Sequence, residues 1–127
     1  FQALFPDSHI VHTWDLETSA RLIVKAGVQF DLAILDMTLP TEPRPDAPLK
    51  SLAGLSLLKI MQIRQVPIPT IIVTQYSNWS SEEQYETRQF IEHLTQNCQR
   101  DFPDNFKGAI RFSHTELTWQ EELKRYL

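Results

Sequence analysis

Three runs of β-branched and aliphatic residues punctuate the chain: Ala33-Ile34-Leu35, Thr70-Ile71-Ile72-Val73-Thr74 and Ala109-Ile110-Arg111-Phe112. In the first, apolar residues follow one another without a polar partner between them. That pattern predicts a strand covered by helices on both faces. Helically spaced stretches separate the runs, and strands alternating with helices predict a parallel α/β sheet. In such sheets the functional crevice lies outside the carboxyl ends of the strands.

A further strand is predicted from Ser8 to Trp14, where Ile10, His12 and Trp14 alternate with His9, Val11 and Thr13. Asp15 is placed to cap a helix and Gly27 to end it, with Leu16, Ala20, Ile23 and Val24 on one stripe. Leu55, Leu57, Leu58 and Met61 predict a largely buried helix over 54–65. Ser80 and Glu83 have capping-box spacing, as do Thr118 and Glu121. The first pair opens a long helix to about Gln99 with Tyr85, Ile91, Leu94 and Cys98 inward. The second opens a terminal helix carrying Trp119, Leu123 and Tyr126. Between Pro40 and Ala53 stand Pro40, Pro43, Pro45 and Pro48, which fix φ and withhold donors. This segment, about 40–53, is expected to be an irregular loop. The order is β-α-β-α-β-α-β-α, in one domain spanning 1–127.

At 127 residues the chain is long enough to bury a core. Its net charge of -4 comes without any basic block, which excludes a nucleic-acid surface of the usual kind. Cys98 stands alone, so no internal disulfide forms, and a reducing, cytoplasmic setting is expected. Cys98 itself is expected to be buried and apolar in role. No apolar run nears the ~20 residues of a membrane span. The chain opens at Phe1 rather than Met and is expected to be a fragment.

Two polar residues directly follow strand cores: Asp36 after Leu35, and Thr74 after Val73. A carboxylate at a sheet's open edge can attack a phosphoryl donor. A hydroxyl on the next strand can then donate to the new phosphoryl oxygen, with a divalent cation offsetting the charge. Phe30-Asp31-Leu32-Ala33-Ile34-Leu35-Asp36-Met37-Thr38-Leu39-Pro40 resembles the third-strand motif of response-regulator receiver domains, in which a Pro follows the phosphoacceptor Asp by four residues. Gly54-Leu55-Ser56-Leu57-Leu58 resembles the start of the helix after it. Pro69 to Thr74 resembles the family's fourth strand with its switch Thr or Ser. Gly108 to Phe112 resembles the fifth.

The resemblance implies a flavodoxin-like, doubly wound parallel sheet whose first strand lies outside this sequence. It implies Asp36 as phosphoacceptor, the Thr38 backbone carbonyl and Asp36 as Mg²⁺ ligands, Thr74 as switch hydroxyl and Phe112 as switch aromatic. The expected partners are a histidine kinase or phosphotransfer protein, an output domain or partner protein, and a second copy through the last helix and strand. Such a domain would catalyse only its own phosphoryl transfer and dephosphorylation.

Read from the residues alone, Thr74 is equally a β-branched strand end and Phe112 a core aromatic. The sequence departs from the family at three places. The acidic pair of the family's first strand has no counterpart, and with it any full Mg²⁺ site. Thr115, beside Ser113 and His114, holds the place of the family's Lys. Gln75 stands where a small residue is usual. These departures keep a second reading open: a pseudo-receiver that binds proteins without phosphate. His114 as a substitute cation, and Tyr76 and Trp79 as partner-binding aromatics, are further expectations.

Overall fold

In a computed structural model of the chain, residues 6–25, 30–50, 52–75, 81–112 and 118–126 are described. Along the chain run α1 (Leu16–Val24), β1 (Ala33–Asp36), β2 (Leu39–Pro40), β3 (Leu49–Lys50), α2 (Ala53–Ile63), β4 (Thr70–Gln75), α3 (Ser81–Asp101), β5 (Phe106–Phe112) and α4 (Thr118–Arg125). The main sheet has the order β1-β4-β5, and both pairings are parallel. The apolar runs therefore do what their composition requires. Each is a strand whose return path is a helix, as parallel pairing demands.

Alternation along the strands divides the core in two. Ile72 and Ala109, with Ala33 and Leu35 beside them, pack on one face against Leu57, Leu58 and Met61 of α2, Leu94 and Cys98 of α3, and Ile23 of α1. Ile71, Val73 and Ile110 pack on the other against Leu123 of α4, with Ile34 and Trp119 at its margin. Three helices thus cover one face and α4 the other, which is the doubly wound arrangement. Leu57, Leu58 and Leu123 are sealed from solvent, and truncating such a leucine to alanine costs about 2–5 kcal/mol.

The head of α1 follows its sequence signal; the Ser80 capping expectation lies outside the described residues, and α4 begins at Thr118 itself. Asp15 accepts a 2.7 Å hydrogen bond from the Thr18 amide at the head of α1. The stripe on α1 is narrower than expected, because Val24 in its last turn is exposed. Gly27 lies outside the described residues. At the foot of α2, Gln65 takes φ 55°. The Val66 amide donates to Met61 O at 2.8 Å, and the Gln65 amide to Gln62 O at 3.2 Å. That bond pair is a Schellman closure, which Gly usually supplies.

Two expectations are corrected. The strand expected from Ser8 to Trp14 does not form: alternation gives a face, but a strand also needs a ladder partner, and none pairs with this segment among the described residues. Val11 and Trp14 stand exposed, with the Trp14 ring tilted over His12. The Pro-rich segment is also more regular than its composition suggests. Leu39–Pro40 and Leu49–Lys50 pair antiparallel as a hairpin, with the Thr41 amide donating to Pro48 O at 2.9 Å. At its tip Arg44 reaches Glu42 at 3.0 Å and Asp46 at 3.3 Å.

At the amino end of β4 a polar clasp closes the sheet. The buried Asn105 side chain donates to Val66 O at 2.7 Å and Ile68 O at 3.1 Å. The Asn105 backbone carbonyl accepts from the Thr70 amide at 2.8 Å. The register then skips one residue, so that Thr70 faces Phe106 and Ile71 faces Gly108. Lys107 is left over as a bulge and points its charge to solvent.

Candidate functional site at the carboxyl edge of the sheet

β1 ends in Asp36, whose partner across the ladder is Val73. The next residue of β4 is Thr74. The Met37 amide continues the ladder by donating to Val73 O at 3.1 Å. Met37 is buried and holds the turn down, while Asp36 before it and Thr38 after it are exposed. Thr74 pairs with Arg111 and is buried to 9% exposure; Gln75 pairs with Phe112. The three side-chain positions singled out from sequence, 36, 74 and 112, thus fall at the same end of three adjacent parallel strands. The side chain of Phe112 is outside the described residues, as are Ser113, His114, Thr115, Tyr76, Trp79 and Ser80.

The backbone around Asp36 is fixed from below by α2. A methyl group built on Gly54 would lie 3.0 Å from Asp36 O and 3.6 Å from Met37 Cα. The Gly54 amide faces Met37 O at 3.4 Å. A side chain here would have to push the strand end back by a few tenths of an ångström, so glycine lets the helix start this close. The hairpin stands beside the same turn and is tied to α1, where the Glu17 amide donates to Thr41 O at 3.2 Å. Sequence reasoning noted Gly54 as a family-like helix start but missed its steric role. The signal was present: a Gly at the first turn of a helix, where nothing favours it intrinsically.

Although Asp36 is exposed as a residue, its carboxyl is partly hemmed in, and loss of water pushes its pKa above the ordinary carboxylate range. Desolvation alone drives the shift. No cation among the described residues pulls it back. Such a carboxylate is a charge held at some cost, and it is relieved by whatever neutralises it.

Oxygen donors at this edge suit a hard divalent ion in kind. Mg²⁺ is commonly held by one or two carboxylates with phosphate and water completing the shell, and Asp36 with the Thr38 carbonyl would contribute two oxygens. Among the described residues there is no cluster of three or more metal-binding side chains.

The parallel sheet β1-β4-β5 with helices on both faces is a receiver-like α/β fold. No family model matches the chain, and no solved structure does. Its sequence is similar to the Detocs response regulatory protein DtcB of Enterobacter cloacae, 29% identical over 124 residues, spanning 94% of this chain and 80% of that protein. That similarity supports a receiver-like signalling role. No helix among the described residues is long and apolar enough to cross a membrane.

Proposed function

We propose that this domain receives a phosphoryl group on Asp36 and converts it into a change of protein-binding surface. One observation carries the reading: Asp36 ends its strand paired with Val73, immediately before Thr74, at the open carboxyl edge of a parallel sheet. In the step, an Asp36 carboxylate oxygen attacks the phosphorus of a phosphohistidine on a kinase or phosphotransfer protein. The P–N bond breaks, an acyl phosphate forms, and the departing imidazole takes up a proton. Thr74 would donate to a phosphoryl oxygen, and Phe112 would answer the change one strand further on. A bound Mg²⁺ would supply charge neutralisation. The raised pKa of Asp36 supports a site that gains from such neutralisation.

Beryllium fluoride with Mg²⁺, added to the isotope-labelled chain, tests this. Amide shifts at Asp36, Thr74 and Phe112 that vanish in Asp36→Asn are expected. Unchanged spectra would rule the reading out.

A second reading is favoured by Thr115 at the place of the family's Lys, together with the want of a cation pairing with Asp36 among the described residues. On that reading the domain is a pseudo-receiver that engages its partner without phosphate. Partner binding that survives Asp36→Asn unaltered would select it.

A further inference from the structure

An open groove of about 490 Å³ runs between residues of α2 and α3 on the helix-covered face of the sheet, with none of Asp36, Thr74 and Phe112 in its lining. Its floor is apolar: Leu55 from α2, Leu94 from α3, and Phe102 just past the end of α3. Its rim is basic. Lys50 from β3, Lys59 from α2 and Arg100 from α3 all line it, and all three are exposed. The acid among the lining residues, Asp101, is already engaged by Arg100 at 3.0 Å. Leu52, at the mouth, and Leu49, next to Lys50, extend the apolar surface outward, at 44% and 69% exposure.

We propose that this groove docks an acidic, amphipathic segment of a partner protein. The charge pattern selects the occupant. The whole chain carries -4, yet this rim is cationic, so it stands out as an attractive spot on a repulsive background for acidic partners. The apolar floor selects a protein over a nucleic acid, whose backbone asks for a track of cations and offers no aliphatic face. An amphipathic helix laid into such a groove would place apolar side chains over Leu55, Leu94 and Phe102, with carboxylates toward the two lysines. Neither the phosphoacceptor reading nor the pseudo-receiver reading requires this surface, and docking here needs no phosphate.

The test uses two short synthetic helix-forming peptides with a fluorescent label. Both carry leucines at i, i+3, i+4 and i+7 spacing. One has Glu at the remaining positions, the other Lys. The full chain is expected to bind the Glu peptide and not its Lys twin. Amide shifts in the unaltered protein should gather around Leu55, Leu94 and Phe102. Combined Lys50→Glu and Lys59→Glu should weaken binding about tenfold or more, and added salt should do the same. Asp36→Asn should bind as the parent does, which separates this proposal from the phosphoryl chemistry. Failure of the Glu peptide to bind, equal binding of the Lys twin, or shifts confined to other elements would overturn it. So would a stable homodimer burying the groove, seen by light scattering.

Discussion

Gly54 lies under Asp36 so closely that a Cβ at position 54 would approach the Asp36 carbonyl oxygen to 3.0 Å. The candidate phosphoacceptor is therefore seated on a helix terminus rather than on a free loop. A substitution remote from any reacting atom can then move the site.

Gly54→Ala is the direct probe. Alanine gains helix propensity of roughly 1 kcal/mol over glycine, but here its methyl meets backbone, which cannot rotate away. Overpacking of this kind costs about 1–3 kcal/mol. A net loss of stability is expected in urea melts, with a weakened beryllium fluoride response. A variant more stable than its parent would show that the strand end yields readily.

Asp36→Asn should reveal the desolvation of the carboxyl. Asp36 holds its proton more tightly in the folded chain than in the unfolded one, since its pKa is raised from 3.8. The folded state then loses stability as pH rises from the ordinary carboxylate range through the raised value. Asparagine has no charge to desolvate. The variant should exceed the parent in stability at neutral pH, and the difference should close below about pH 3, where both carboxyl states are protonated. Urea midpoints across a pH series decide it; a difference constant with pH would contradict the account.

Asn105→Ala should be among the costlier polar substitutions. It removes two hydrogen bonds, to Val66 O and Ile68 O, though each carbonyl keeps one other donor, the Ile68 amide at 3.0 Å and the Thr70 hydroxyl at 2.9 Å. A loss of about 1–3 kcal/mol is expected, read as a lower denaturation midpoint. Binding at the opposite end of the sheet should be unaltered in the folded variant.

Gln65→Gly should go the other way. Gln65 closes α2 at φ 55°, a conformation that costs non-glycine residues about 1–2 kcal/mol. Glycine returns part of this to its greater freedom when unfolded. A gain of up to about 1 kcal/mol is expected from thermal or urea unfolding, and a loss would mean that the Gln65 side chain contributes contacts of its own.

Much of the sheet was legible because β-branched runs state their own burial. Ile71 and Ile72 are both sealed, on opposite faces, as an uninterrupted apolar strand requires. The edge position of Asp36 was legible for the same reason; Thr74 lies at the same end of the sheet, but it is buried and β4 runs one residue further, to Gln75. What stayed hidden depended on partners distant in the chain. Residues 9–14 alternate as a strand would, but alternation says nothing about whether a ladder neighbour exists. Asn105 reads as a turn residue; its value comes from carbonyls 39 and 37 positions away. The hairpin was masked by its prolines, which local rules treat as breakers.

Those prolines have a second effect. Pro40 sits within the two-residue ladder, and Pro43, Pro45 and Pro48 occupy the tip and the return. None can offer an amide to a passing strand. The ribbon beside Asp36 therefore offers few amides along its length, so it braces the turn it adjoins while making a poor template for a further strand.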